Sequence, residues 1–94
     1  MNVLARPRLN QFIEEFPEAR EPLERWYVIC KKNDFANLHE LQETFSDVSF
    51  VAPDYFIFNI KGGNFRLITT VSFQYKVIRL KEFMRHDDYN NWKP

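Results

Sequence analysis

Residues able to do chemistry are concentrated in two short stretches of this chain. The first is Asn59-Ile60-Lys61-Gly62-Gly63-Asn64-Phe65-Arg66, which sets two cations and two amides around the only two glycines in the sequence. Arginine offers a planar fork of donors and lysine a point charge, so Lys61 and Arg66 with Asn59 and Asn64 could hold a phosphate. The second is Arg85-His86-Asp87-Asp88-Tyr89, in which His86 and Tyr89 stand three apart and would share one face of a helix. A histidine side chain can carry a proton, and a tyrosine can hydrogen-bond or stack on a base. Each stretch also has an ordinary reading. Hairpin tips are commonly solvated, and a histidine followed by two aspartates suits an exposed helix start.

The elements that must position these residues can be read from periodicity. Two adjacent glycines between strand-like runs mark a two-residue hairpin, because both turn positions need positive φ. Lys61 then faces Asn64, Ile60 faces Phe65, Asn59 faces Arg66 and Phe58 faces Leu67. Side chains alternate along a strand, so Phe58, Ile60, Phe65 and Leu67 fall on one face and Asn59, Lys61, Asn64 and Arg66 on the other. Val48 to Val51 and Tyr55 to Lys61 are rich in β-branched and aromatic residues and are split by the turn pair Pro53-Asp54. A last strand is expected from Lys76 to Phe83, leading directly into the His86 stretch, and Val3-Leu4 is expected as a short edge strand.

The first half reads as helix. Leu9, Phe12, Ile13 and Phe16 form an amphipathic stripe that Pro17 ends. A second stripe runs through Ala19, Leu23, Trp26, Tyr27 and Cys30, with Pro22 in the first turn, where its missing N–H has no intrahelical role, and Lys31-Lys32 at the end. Leu38, Leu41 and Phe45 mark a third, short helix capped by Asn37. The expected class is α+β: two to three N-terminal helices packed on a three- to four-stranded, mainly antiparallel twisted sheet, with a short C-terminal helix, all in one domain over residues 1–94.

Composition narrows the function classes. The 94 residues are 45% hydrophobic and include ten phenylalanines, enough for a modest core but little room for an enclosed catalytic cavity. Formal net charge is zero, yet residues 1–55 hold six Lys/Arg against ten Asp/Glu (6 − 10 = −4) and residues 56–94 hold seven against three (7 − 3 = +4). Such a split is compatible with a basic working face as well as with ordinary surface scatter. The single cysteine, Cys30, cannot form an internal disulfide and is expected to pack as a small apolar residue, while His39 is expected on a solvated helix face. No signal peptide, membrane span, metal-ligand spacing, glycine-rich phosphate loop or nucleophile elbow is present, so the expectation is a cytoplasmic protein without metal or cofactor.

The order of helices, the tryptophan of the second helix, "FNIKGGNFRLI" at 58–68 and "HDDYNNW" at 86–92 resemble the HigB toxins of the RelE superfamily over nearly the whole chain. This sequence departs from the family pattern in three places. Gly62-Gly63 stand where a Gly-Asn pair is common, displacing the asparagine to Asn64. Arg85-His86-Asp87-Asp88-Tyr89-Asn90 replaces Thr-His-x-x-Tyr-Asp, and Lys81 stands where an arginine is common.

The resemblance implies a ribosome-dependent mRNA endoribonuclease of a type II toxin–antitoxin module. Its partners would be mRNA on the ribosome and a HigA-type helix-turn-helix antitoxin, with DNA contacted only through the antitoxin. It also implies metal-free cleavage by the 2′-hydroxyl. Arg66, assisted by Lys61, would stabilise the charged phosphorane, His86 would act in acid–base transfer, and Tyr89 would orient the base or donate a hydrogen bond. Asn59, Asn64, Lys76, Arg79, Lys81 and Arg85 would hold RNA or ribosomal phosphates. A different class of function keeps the same fold: a non-catalytic module that binds RNA or its partner. A third is a structural interaction domain that works through the acidic helical half.

Overall fold

The structure, a computed structural model, describes residues 1–94. Strand β1 (Asn2–Leu4) leads into helix α1 (Arg6–Glu15). A 3-10 turn at Pro17–Ala19 joins it to α2 (Arg20–Lys32), and α3 (Leu38–Thr44) follows. The chain then forms β2 (Ser49–Val51), β3 (Tyr55–Ile60), β4 (Phe65–Ser72) and β5 (Val77–Arg85), and closes with α4 (His86–Tyr89).

The helical stripes act as their spacing predicts. Leu9, Phe12 and Ile13 of α1 and Leu23, Trp26 and Cys30 of α2 are buried. Pro17 ends the first helix by opening the 3-10 turn rather than by extending it. Asn37 caps α3, its side-chain oxygen accepting from the Glu40 N–H at 2.9 Å, and the Glu40 carboxylate accepts in return from the Ala36 N–H at 3.0 Å. Burial pushes the Cys30 thiol up to about 12, so it stays protonated and packs as an apolar group. His39 is exposed on α3.

The sheet corrects the expectation in strand number and direction. It has five strands in the order β1-β5-β4-β3-β2, and β1 pairs parallel to β5 while the other neighbours are antiparallel. The two edge strands, expected at Val3-Leu4 and Val48 to Val51, are each three residues long, and their ladders form because longer neighbours supply the pairing. The last strand also shifts: it begins at Val77 and continues to Arg85, because Lys76 adopts a φ of 58° and belongs to the turn.

One face of the sheet packs on the helices. Phe58, Ile60, Phe65 and Leu67 lie there together, buried, as the alternation requires. Trp26 meets Phe58 edge-on at 5.3 Å, while Phe65 and Phe83 stack at 5.0 Å and Phe16 abuts both. Fully burying each such side chain contributes roughly 1.5–3 kcal/mol, which makes this face the main source of stability. The outer face is apolar in its middle: Ile57 and Ile68, opposite each other, are 1% and 0% exposed.

Candidate functional site

The hairpin forms in the expected register, with Asn59 opposite Arg66 and Ile60 opposite Phe65. The Lys61 carbonyl accepts from the Asn64 N–H at 3.2 Å across Gly62 and Gly63, whose φ values are 63° and 91°. Lys61 departs from a simple alternation, because its own φ is 55°. It therefore leaves the strand and stands exposed beside the turn instead of lying flat on the polar face.

Arg66 is the centre of the cluster. Its Nη1 donates to the carbonyls of Gly63 and Phe65, and its Nη2 lies 3.0 Å from His86 Nδ1. The guanidinium carbon sits 5.7 Å from the centre of the Tyr89 ring, within cation–π range. A position one Cβ out from Gly63 would be 3.7 Å from Arg66 Nη1 and 4.0 Å from Asn59 Nδ2, so the two side chains converge over the turn. Guanidinium has no acceptor, so in this bond Nδ1 of His86 must accept, and the ring hydrogen then sits on Nε2. Nε–H and one Nη2 hydrogen of Arg66 are left for an incoming anion.

The tail is held against the hairpin by contacts far apart in sequence. The His86 N–H donates to the Asn64 carbonyl at 2.9 Å, clipping the start of α4 to the turn. Trp92 anchors the other end: its Nε1 donates to a Glu82 carboxylate oxygen at 2.8 Å, and its ring meets Tyr55 edge-on at 5.2 Å and stacks on Tyr89 at 5.7 Å. Trp92 and Glu82 are positioning residues that the sequence reading missed. Nothing local pairs them, since they lie on opposite sides of the strand-to-helix turn.

A cavity of about 310 Å3 opens beside this cluster, lined by Lys61, Asn64, Arg85 and His86 together with Glu18 and Asp87. Glu18 is the third unforeseen residue. It forms an ion pair with Arg85 at 2.8 Å, and Arg85 also lies over the rings of Phe16 and Phe65. Arg85 is thus turned toward the helices and already neutralised.

The remaining cations assigned to RNA separate from the cluster. Lys76 is at the opposite end of the sheet, where its Nζ donates to the Phe35 carbonyl at 3.1 Å. Arg79 is on the outer face, opposite Thr70 and four residues along β4 from Arg66. Lys81 is exposed at a bulge opposite Ile68 and Thr69, its carbonyl taken by the Arg8 guanidinium. The structure therefore gathers Arg66, His86, Tyr89, Asn59, Asn64 and Lys61, and leaves Lys76, Arg79 and Lys81 apart. No group of three or more His, Cys, Asp or Glu side chains is placed to hold a metal ion, and no helix is long and apolar enough to cross a membrane.

Fold and site together define a small α+β protein in which a C-terminal tail folds a histidine and a tyrosine onto a cationic hairpin. The model of the HigB_toxin family, the RelE-like toxic component of a toxin–antitoxin system, matches residues 19–92, which is 74 of the 94 residues (92 − 18 = 74). The chain belongs to that family. A search among curated proteins found no match. The family match begins after α1 and takes in every residue of the hairpin–tail cluster. Membership makes the protein the toxic half of a two-component system and implies an antitoxin as its partner.

Proposed function

We propose that this toxin is a ribosome-dependent mRNA endoribonuclease acting in the cytoplasm and neutralised by a HigA-type helix-turn-helix antitoxin. The observation that carries the reading is the convergence of Arg66, His86 and Tyr89, drawn from a strand and a separately folded tail, on one open polar surface. In metal-free cleavage the 2′-oxygen attacks the adjacent phosphorus and the bond from phosphorus to the 5′-oxygen breaks. The departing 5′-oxygen takes a proton from the His86 imidazolium formed in the attack or from water, so the products are a 2′,3′-cyclic phosphate and a 5′-hydroxyl. Arg66 meets the developing charge on the phosphorane with its two free N–H groups, and Lys61 adds a second positive charge from the turn.

His86 is the proton carrier, and its resting hydrogen bond gives it a condition to meet. While Arg66 Nη2 occupies Nδ1, that nitrogen cannot accept the 2′-OH proton. A substrate phosphate taken up by the free Nε–H and Nη2–H draws the guanidinium toward itself, and the His86 bond that gives way frees Nδ1 at the moment a base is needed. Tyr89, stacked between Arg66 and Trp92, offers its ring edge and hydroxyl to the base. Asn59 and Asn64 contribute neutral donors beside the phosphate. The openness of the site accords with a substrate whose geometry is set mainly by the ribosome.

The test is induced expression in a bacterium, with growth and mRNA 5′ ends recorded for the wild type, Arg66→Ala and His86→Ala. Arrest with new in-frame ends, abolished in the Arg66 variant, supports the nuclease. Normal growth with soluble, folded wild-type protein and no new ends rejects it in favour of a non-catalytic binding module.

A further inference from the structure

A second concavity, of about 160 Å3, lies between α2 and the hairpin end of β3 and shares Lys61 with the cavity beside His86. Three independent features converge on it. The first is an open sheet edge: β2 pairs only with Tyr55–Ile57, whereas β3 continues to Ile60, so Phe58 to Ile60 have no strand on that side. Such an edge presents main-chain donors and acceptors ready to pair with another chain. The second is Trp26, which lines the groove while only 2% exposed and whose Nε1–H is the one buried side-chain polar group without a hydrogen-bond partner. An indole nitrogen can only donate, so what is missing is an acceptor. The third is charge: Arg25 and Lys61 are exposed at the groove, neither is in an ion pair, and no carboxylate lines it. Between these polar features the wall is apolar, formed by Ile29, Phe45 and Ile60.

We propose that this groove receives an extended, acidic segment of the antitoxin, which adds as a short strand along Phe58–Ile60. A carbonyl of the segment accepts from Trp26 Nε1, alternate apolar side chains pack against Ile29, Phe45 and Ile60, and the intervening carboxylates meet Arg25 and Lys61. A polypeptide matches this surface better than RNA does. Its backbone completes the open ladder and its alternation fits an apolar wall with a cationic rim, while a nucleic acid would use the two cations alone. Occupancy would engage Lys61 without touching Arg66, linking neutralisation to the edge of the candidate active site. The inference rests on membership of the toxin family and not on the nuclease reading.

The experiment uses 15N-labelled full-length protein and a terminally blocked octapeptide alternating glutamate and valine, with a lysine–valine peptide and oligoadenylate beside it. Trp92→Phe identifies the Trp26 indole resonance. With the acidic peptide that resonance moves downfield, and the amides of residues 58–61 exchange more slowly with deuterium. Arg25→Glu, an exposed change on α2, weakens binding by about two- to fivefold. The proposal is overturned if the acidic peptide leaves the Trp26 resonance and the β3 edge unmoved up to millimolar concentration, or if it binds with equal affinity to Arg25→Glu. A shift of Trp26 by oligoadenylate but not by the peptide overturns it in favour of an RNA channel. Growth arrest and cleavage are not read, so failure here is distinct from failure of the nuclease assignment.

Discussion

Arg66 and Lys76 lie near opposite ends of the same strand pair, and both meet the sequence criterion for a phosphate contact: a cation next to a turn in the basic half of the chain. Their surroundings give them different work. Lys76 is half-buried and its ammonium closes a long-range contact to the Phe35 carbonyl, tying the β4–β5 turn to the segment before α3. Arg66 bonds to its own turn and to a histidine that another neighbour could replace, and keeps two N–H groups open. Arg66 and Ser72, next to that far turn, are six positions apart along β4, roughly 20 Å of strand, too far for one phosphate to span. A positive charge serves the fold where its partner is a fixed backbone carbonyl, and is available to a ligand where its partner can be exchanged.

Substitutions at the two ends sharpen this contrast. Arg66→Ala should lower cleavage of ribosome-bound mRNA by about 10²- to 10³-fold, the scale of losing a preorganised donor to a developing oxyanion. Its urea midpoint should move by no more than about 1 kcal/mol in stability, since the Arg66 contacts lie at a solvated turn. Lys76→Met should do the reverse, with a loss of about 1.5 kcal/mol in urea unfolding and cleavage within about twofold of wild type. If Lys76→Met abolishes cleavage while remaining as stable as wild type, the contrast is wrong.

Two further changes probe what lies between these extremes. Trp92→Ala removes the anchor of the tail and should reduce cleavage about tenfold by letting His86 and Tyr89 drift from Arg66. The ordering can be followed independently through the His86 ring resonances, which should lose their Nε2–H preference. Arg79→Ala carries the smallest expectation. Ribosome binding should weaken by about two- to fivefold and the slope of log affinity against log salt should fall by about one, without a change in the positions of cleavage.

Much of the fold was readable because it depends on short-range regularities. The helical stripes of α1 and α2, the Asn37 cap and the Gly62-Gly63 hairpin register all rest on spacing within a few residues, and each forms as read. The two edge strands were legible as short runs at Val3-Leu4 and Val48 to Val51, but their places in one five-stranded sheet were not, because three residues carry too little pattern to select a partner. The parallel pairing of β1 with β5 joins Asn2 to Val77, a contact no local pattern encodes.

The candidate site divides in the same way. Sequence alone determined its ingredients: a hairpin that must present Asn59 and Arg66 side by side, and a tail spacing that puts His86 and Tyr89 on one helical face. Those follow from the period of the strand, the positive φ of paired glycines and the pitch of one helical turn. Only the tertiary structure decided which cations remain free. It paired Arg85 with Glu18 and engaged Lys76 with Phe35. It also folded the tail back through Trp92 and Glu82, so that His86 meets Arg66 across 20 residues of sequence. The physical reason is that charge and hydrogen-bonding capacity are satisfied by whatever lies within about 3 Å in space, and packing of distant elements sets that neighbourhood.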